Sequence, residues 1–392
     1  MMAKNIIFCA DGTWNKPIEE IDQDTDSPSN VFKLFDLLAG KRGDSIHFNI
    51  ATGRVSEYEK SYVVDTQTVQ IAKYINGVGN SSVKLNPILG GAFGFGLIER
   101  IARGYTFISR NYVEGDKIFI VGFSRGAYTA RALAGLIANK GLLARKFNQG
   151  EAESYDMAIR AWYNYRNGIQ QTTYRNNFQN LLTAFTSIKN FLLQNTLSDS
   201  DFIQNVPVEA VAVWDTVGAL GIPDFEFDDK QAEIRDGFAF ADNVLNAKVK
   251  NGFHAVSLDE MRLLFTPTLW EKRDGIQQAL FAGAHSDVGG GYKEAGLSDC
   301  ALKWMIDALA DKKLGVKFAD NAFKLTGNPA DFAHSAWAHL TGLTNKLGQR
   351  QFKHLVLNNT LNVHQSVLDR VALPAFIQYA NKPASLFRPN NY

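Results

Sequence analysis

One strand-length apolar run, Ile118–Gly122, passes through a Gly-x-Ser-x-Gly pattern directly into a helical pattern that begins at Arg125. This arrangement predicts a sharp strand-to-helix turn, because a glycine two residues on either side of Ser124 lets the backbone pass close to itself. Such a turn holds the serine in a strained conformation and exposes its Oγ at the carboxyl edge of a sheet. The free amides of the helix N-terminus lie beside it and favour developing negative charge. Ser124 is therefore the candidate nucleophile.

Strand-length apolar runs alternate with helical patterns along much of the chain. This alternation is typical of an α/β fold in which a mostly parallel sheet carries helices on both faces. Buried strands are predicted at Ile6–Ala10, Ile46–Ile50, Ile118–Gly122, Val208–Trp214 and Ala279–Ala284. Helices are predicted at Asn30–Ala39, Phe93–Tyr112, Arg125–Asn139 and Leu297–Leu309.

The length of 392 residues exceeds the roughly 100–200 residues of a common domain. We expect residues 1–392 to form one α/β domain with additions rather than two domains. Residues 143–205 lack a strand pattern and predict a helical insertion, and residues 312–392 predict a helical extension packed on the domain. Within the insertion, Phe178–Leu193 is amphipathic at helical spacing. A lid over the site and a helix packed on the core both remain open for this segment.

The charges of the chain almost cancel, with 41 Lys and Arg against 40 Asp and Glu, for a formal charge of +1. Nucleic-acid binding is therefore excluded, since those proteins carry a cationic excess. The two cysteines, Cys9 and Cys300, are too few for a disulfide framework or a zinc site and are predicted to be buried. Ile6–Ala10 is too short for a signal-peptide core, and no apolar run reaches the roughly 18 residues of a membrane span. We expect the protein to be made in the cytoplasm.

A serine nucleophile needs a histidine base and an acid that orients the histidine. On a sheet of this kind the acid and then the histidine should follow the serine in the chain, each just after a later strand. Asp215 follows the predicted strand Val208–Trp214, and His285 follows Ala279–Ala284. Asp215 is therefore the candidate acid and His285 the candidate base.

Other polar residues near the same strand ends compete for these roles. His254 has no predicted strand before it, so we expect it to pack near the site or to bond a helix start. Asp287 could replace Asp215 as the acid, although two residues from His285 it more naturally braces the loop. A metal ion held by Asp11, Asp215, Asp287 and histidines is a chemical alternative, since hard cations take carboxylates. No cofactor-binding motif is present, and the primary prediction contains neither cofactor nor metal.

Acyl transfer also needs two amide donors for the oxyanion of its tetrahedral intermediate. The N–H of Arg125, the residue after the nucleophile, is one candidate. The other is Gly12 or Thr13, in the loop that follows the first strand. This loop invites comparison with phosphotransferases that use an Asp nucleophile, but Cys9 stands where that nucleophile is needed, so this class is excluded.

At this point the chain resembles a known family, the α/β-hydrolases typified by type VI secretion phospholipase effectors. The resemblance covers roughly the first three quarters of the chain, and its motifs are specific in combination. They are Cys9–Asn15, Gly77–Gly79, Gly90–Gly96, Gly122–Ala134, Trp214–Gly218, His254–Glu260 with Phe265, Pro267 and Trp270, and Gly283–Tyr292 with Gly296–Asp299.

The resemblance implies an α/β-hydrolase fold and hydrolysis of acyl esters in glycerophospholipids, with Ser124 as nucleophile, Asp215 as acid and His285 as base. It also implies export by a type VI secretion machine, with a carrier and an immunity protein as partners. Contact with a membrane surface should then come from the 46 aromatic residues (27 Phe, 13 Tyr and 6 Trp) rather than from net charge. A soluble carboxylesterase on small acyl substrates, and a non-catalytic binding protein that retains the fold, remain the alternatives.

Overall fold

A computed structural model describes residues 3–12, 15–22, 26–50, 53–77, 90–147, 150–167, 197–217, 244–337, 347–379 and 382–392. The strands are β1 (Asn5–Ala10), β2 (Asp26–Ser29), β3 (Lys41–Arg42), β4 (Ile46–Ile50), β5 (Gly53–Val64), β6 (Gln67–Ile75), β7 (Lys117–Phe123), β8 (Leu142–Leu143), β9 (Phe202–Ile203), β10 (Val208–Trp214), β11 (Val249–Ser257), β12 (Ile276–Phe281), β13 (Gly290–Tyr292) and β14 (Asn362–Val363). The α-helices are α1 (Asn30–Leu37), α2 (Gly90–Asn111), α3 (Arg125–Lys140), α4 (Glu151–Asn167), α5 (His285–Gly289), α6 (Gly296–Ala310), α7 (Lys353–Leu357) and α8 (Gln365–Ala372).

The central sheet has the order β14-β12-β11-β10-β7-β1-β6-β5-β3, and β4 pairs with β5. The pairs from β14 to β6 are parallel, while β5 is antiparallel to β3, β4 and β6. The prediction of a mostly parallel sheet is thus confirmed. Because β1 lies between β6 and β7, the order reverses there, and ligands of open α/β sheets bind at the carboxyl ends beside such a reversal.

Helices cover both faces of this sheet, as predicted. Successive side chains of a strand point to opposite faces. Accordingly, Ile6 and Phe8 of β1 join the core formed with α2, α3 and α4, whereas Ile7 and Cys9 join the core formed with α1 and α6. A third apolar cluster joins β11 and β12 to the C-terminal part of the chain through Phe352. The three clusters fasten the sheet on both faces and at one end.

Three long strands differ from the sequence-based expectation. β5, β6 and β11 were not predicted, because polar residues such as Lys250 and Asn251 interrupt their apolar runs, while pairing with neighbouring strands overrides this weak local pattern. The predicted strand Ile46–Ile50 is present. However, Ile46 is 53% exposed, since within the described residues β4 pairs only with β5, so its expected burial is wrong there.

The predicted insertion is described only in part. Its first helix, α4, packs against α2 and α3, whereas the lid candidate Phe178–Leu193 lies outside the described residues. The C-terminal segment supplies α7, α8 and the edge strand β14. Cys9 and Cys300 are free and buried, as predicted. Among the described helices, none has the length and apolarity needed to cross a membrane.

Candidate active site

The turn between β7 and α3 has the predicted strain. Ser124 adopts φ 57° and ψ −121°, and the residue is buried, with 6% of its surface exposed. A Cβ added to Gly122 would lie 2.3 Å from the Gly126 carbonyl oxygen, and one added to Gly126 would lie 2.1 Å from the Ala10 carbonyl oxygen. The two flanking glycines are therefore required for close backbone approach. This packing sets Ser124 beside the carboxyl end of β1.

The serine turn is joined to the next strand by a backbone hydrogen bond. The N–H of Ser124 donates to the carbonyl of Trp214 at 3.1 Å, and Trp214 is the last residue of β10. Asp215 follows immediately, with φ 34° and its own N–H donating to the Ala255 carbonyl at 2.7 Å. The carboxyl ends of neighbouring strands thus bring Ser124 and Asp215 to the same edge of the sheet.

The structure brings Asp215 and His285 together although 70 residues separate them in the chain. Asp215 Oδ2 lies 2.6 Å from His285 Nδ1. Asp215 Oδ1 accepts from the Ser257 N–H at 2.9 Å, and Arg350 donates to both carboxylate oxygens, at 2.8 and 3.0 Å. Asp215 is fully buried, and these donors satisfy both of its oxygens.

This hydrogen bonding controls the ionisation of Asp215. Burial by itself would raise the pKa of the carboxyl, because it penalises the charged form. The Arg350 guanidinium and the His285 hydrogen bond outweigh burial and hold the pKa of Asp215 well below its usual range. Asp215 is therefore an ionised acceptor at neutral pH.

His285 is held at the first residue of α5 by contacts on several sides. Its backbone N–H donates to Glu260 Oε2 at 3.2 Å. Two phenylalanine rings contact its imidazole, with centroid distances of 4.6 Å to Phe123 and 4.9 Å to Phe265. Burial lowers the pKa of His285, and the Asp215 carboxylate only partly opposes this effect. The imidazole is therefore neutral at neutral pH, as a general base must be.

Asp287 lies in the same short helix as His285, but its carboxylate has partners of its own. Its Oδ2 accepts from the backbone N–H of Ala284 at 2.9 Å and of His334 at 2.8 Å. Its Oδ1 lies 2.6 Å from His334 Nδ1. The Asp287 carboxylate thus braces the loop that carries His285, whereas Asp215 makes the contact with the His285 ring.

The expectation that no strand precedes His254 is wrong, since His254 lies inside β11. Its Nε2 accepts from the backbone N–H of Thr216 at 3.0 Å, so the ring fixes the residue next to Asp215. Complete burial lowers the pKa of His254 to about 3. This side chain is a neutral acceptor that supports the Asp215 turn from within the sheet.

The loop after β1 reaches the serine turn, as its place in the sheet requires. A Cβ on Gly12 would lie 2.9 Å from the Phe123 ring, so Gly12 packs against the residue before Ser124. The Gly12 N–H donates to Asp11 Oδ1 at 2.7 Å, and this bond must open before that amide can serve an oxyanion. Asp11 also accepts from the Tyr74 hydroxyl at 2.6 Å, and burial raises its pKa to about 6. Thr13 lies outside the described residues.

The described residues contain no group of three or more His, Cys, Asp or Glu side chains arranged to hold a metal ion. The carboxylates considered for a cation have protein partners instead, as described above. Two charged residues of the site were not foreseen. Glu260 stands at the end of the His254–Glu260 motif, which is the one signal that could have indicated it. Arg350 lies in a segment without strand or helix periodicity, and no pattern around it indicates a role.

The parallel sheet and the site assembled from its strand ends define an α/β-hydrolase fold. Residues 4–308 match the family described as T6SS phospholipase effector, Tle1-like, catalytic domain. The chain belongs to this family.

Two relatives show how the chain compares in length. An uncharacterised protein of Saccharomyces cerevisiae is 28% identical over 276 residues, which cover 67% of this chain and 33% of that protein. Among solved structures, an uncharacterised protein from Pseudomonas aeruginosa aligns with 83% of this chain and 47% of its own, at 17% identity and a TM-score of 0.41. The chain thus spans about a third of the first relative and about half of the second.

Proposed function

We propose that the protein is a serine-dependent lipolytic hydrolase that cleaves acyl esters of glycerophospholipids, as a phospholipase A does. The observation that carries this proposal is the 2.6 Å contact between Asp215 Oδ2 and His285 Nδ1, at the sheet edge where the strained Ser124 follows β7. Membership in a phospholipase effector family supports the lipid substrate.

The proposed reaction is acyl transfer through a covalent intermediate. His285 Nε2 takes the proton of Ser124 Oγ as the oxygen attacks the ester carbonyl, and a tetrahedral oxyanion forms. The Arg125 N–H at the start of α3, with a donor from the Gly12–Thr13 loop, stabilises the oxyanion. The imidazolium then gives its proton to the leaving lysophospholipid oxygen. Water, deprotonated by the same imidazole, then attacks the acyl-enzyme. The bond from the acyl carbon to Ser124 Oγ breaks, the imidazolium returns its proton to Oγ, and the fatty acid leaves.

Asp215 has two tasks in this scheme. Its ionised carboxylate accepts from Nδ1 and so leaves Nε2 of His285 free to accept the serine proton. Its negative charge stabilises the imidazolium that forms during each transfer. Because both carboxylate oxygens are held by other donors as well, the carboxylate is oriented before substrate arrives.

Family membership supports further proposals about context. We infer export of the protein by type VI secretion to a target cell, with a carrier and an immunity protein as partners, and contact with the target membrane. We also propose that residues 1–392 act as one α/β-hydrolase domain, in which residues 143–205 and 312–392 are additions.

Product analysis by mass spectrometry tests the activity. Defined phospholipid vesicles are incubated with wild type, Ser124→Ala and the control Ser154→Ala. Ser154 lies in α4, and its buried hydroxyl donates to the carbonyls of Phe147 and Gly150, which precede that helix. We expect fatty acid and lysophospholipid from wild type and the control. Ser124→Ala should be slower by several orders of magnitude, as removal of a triad member generally is.

Each other outcome rejects a stated part of the proposal. Full activity in Ser124→Ala would reject Ser124 as nucleophile. Hydrolysis of short-chain esters but not of phospholipids would indicate the soluble carboxylesterase. A wild-type protein that neither hydrolyses esters nor reacts at Ser124 with a fluorophosphonate would be a binding protein that retains the fold.

A further inference from the structure

Arg350 reaches the proposed acid from a part of the chain beyond residues 4–308, which match the family. Its Nη1 donates to Asp215 Oδ1 at 2.8 Å and its Nη2 to Asp215 Oδ2 at 3.0 Å. Nη1 also donates to the Ser257 carbonyl at 2.7 Å, and Nη2 to the Phe265 carbonyl. The guanidinium therefore joins the acid, the end of β11 and the wall beside His285.

The backbone on both sides of Arg350 is fastened to the loop that follows β11. The Gly348 N–H donates to the Met261 carbonyl at 2.8 Å. The Phe352 N–H donates to the Asn391 carbonyl at 2.7 Å, and the Asn391 side chain donates to the Leu258 carbonyl at 3.0 Å. The side chain of Arg350 is 6% exposed, so it is buried in the site and held there by these contacts.

We propose that Arg350 is a positioning residue of the hydrolase, which acts on His285 through Asp215. This inference rests on the proposed function. A planar guanidinium that bonds both carboxylate oxygens fixes the orientation of the carboxylate as well as its charge. The negative charge of Asp215 stabilises the protonated form of His285, and the positive charge of Arg350 reduces this stabilisation. The imidazole therefore stays neutral, and can act as a base, in weakly acidic solution.

The other charged groups around His285 do not duplicate this effect. Apart from Arg350, they are Asp215, Glu260, Asp287 and Arg262. Arg262 is paired with Glu260 by two bonds of 2.8 Å, so these two charges largely cancel each other. Asp287 is occupied by His334. Loss of Arg350 would leave the Asp215 charge uncompensated beside His285, and the imidazolium would become more stable.

The test compares wild type with Arg350→Gln and Arg350→Lys in the full chain. In Arg350→Gln, the acidic limb of the pH profile of kcat/KM should move upward by about one pH unit, because the base is protonated at higher pH. Its kcat should fall by roughly 10- to 100-fold, since the carboxylate loses its fixed orientation. Arg350→Lys restores a charge but not the planar fork, so its acidic limb should stay near that of wild type while kcat falls.

Arg370→Lys is the matched control. Arg370 is a fully buried arginine of the same C-terminal segment, and it donates to the carbonyls of Pro329 and Asp331. This variant should lose thermal stability without moving the acidic limb. If Arg350→Gln and Arg370→Lys both lose stability and neither moves the limb, Arg350 has only a structural role and the inference is wrong.

A measurement without substrate separates this inference from the proposed activity. The low-field proton resonance of His285 Nδ1–H, assigned by its loss in His285→Ala, reports the titration midpoint of the imidazole. The midpoint should rise in Arg350→Gln whether or not phospholipid is the substrate. If Arg350→Gln does not fold, Arg350→Lys takes its place. In Arg350→Lys the Nδ1 proton resonance should shift and the proton should exchange faster with solvent. An unchanged resonance together with an unchanged kcat would overturn the inference. Full activity of Ser124→Ala would instead reject the proposed function.

Discussion

The backbone N–H of Thr216 donates to Nε2 of His254 at 3.0 Å in the interior of the sheet. A ring nitrogen that accepts a hydrogen bond carries no proton, so His254 is neutral in the folded protein. Burial lowers the pKa of His254 to about 3, against an ordinary value of about 6.5. The proposed acid, Asp215, thus precedes a residue whose backbone depends on a neutral histidine.

This relationship predicts a pH dependence of folding stability. Between the two pKa values the unfolded chain binds a proton at His254 that the folded chain does not. The free energy of unfolding is therefore highest above about pH 6.5 and decreases as the pH is lowered below that value. From about pH 6.5 to about pH 4 the contribution amounts to roughly 3 kcal/mol. In His254→Gln, whose amide oxygen can still accept from Thr216, the stability should depend less steeply on pH. Urea unfolding followed by circular dichroism measures this difference.

His254→Phe serves as the control, because it removes both the titration and the acceptor. It should be about 1–3 kcal/mol less stable than His254→Gln at every pH, since the buried Thr216 N–H is left without a partner. Parallel stability-against-pH curves for wild type and His254→Gln would contradict the neutral acceptor assigned to this histidine.

His334 should show a pH dependence of the opposite sign. Although burial opposes it, the hydrogen bond to Asp287 raises the pKa of His334, and Glu294 adds to this effect. Its stabilisation is therefore full below about pH 6.5 and is lost as pH rises through the higher folded pKa. His334→Gln should be less stable than wild type at about pH 5.5, with a difference that shrinks toward about pH 8. A difference that grows with pH in thermal unfolding would reverse this assignment.

Asp215→Asn should lower kcat by roughly 10³- to 10⁴-fold, because an amide cannot replace the ionised acceptor at His285 Nδ1 and favours the wrong tautomer. Steady-state hydrolysis of a chromogenic ester measures the effect. Asp299→Asn is the control for the same substitution, since Asp299 lies in α6 and pairs with Lys33 at 3.1 Å, with both side chains partly exposed. Wild-type kcat in Asp215→Asn would mean that another group orients His285.

Gly126→Ala should destabilise the protein and disorganise the serine turn. The new Cβ would lie 2.1 Å from the Ala10 carbonyl oxygen, and backbone at such a distance has to move, at a cost of about 3 kcal/mol. Gly150→Ala is the control, because a Cβ there meets nothing within 4 Å. Thermal unfolding and fluorophosphonate labelling of Ser124 measure the two consequences. Equal stability of the two variants would show that the turn tolerates a side chain.

Much of the edge that carries the site could be predicted from local patterns. In a parallel sheet the strands run in one direction, so residues that follow separate apolar runs meet at one edge. For this reason Asp215 and His285 could be expected to lie together, and they do. The strain at Ser124 was predictable too, because the flanking glycines and the flanking strand and helix are adjacent in the chain.

The missed elements lacked such local information. β11 carries His254 and supports Asp215, but its polar residues conceal its strand period. Its existence depends on β10 and β12 on either side. Arg350 lies 135 residues from Asp215, and an arginine in an irregular segment has the same local appearance whether it is buried or exposed.

The α/β class, the serine turn and the order of Ser124, Asp215 and His285 along the chain followed from the sequence. These features depend on apolar periodicity and on steric constraints between neighbouring residues, which can be read locally. The surroundings of Asp215 became known only from the folded chain: Arg350 donates to both of its oxygens, and the neutral His254 accepts from the backbone of the next residue. The charge state of a buried group depends on which side chains, distant in the sequence, take the place of water around it, and no local pattern carries that information.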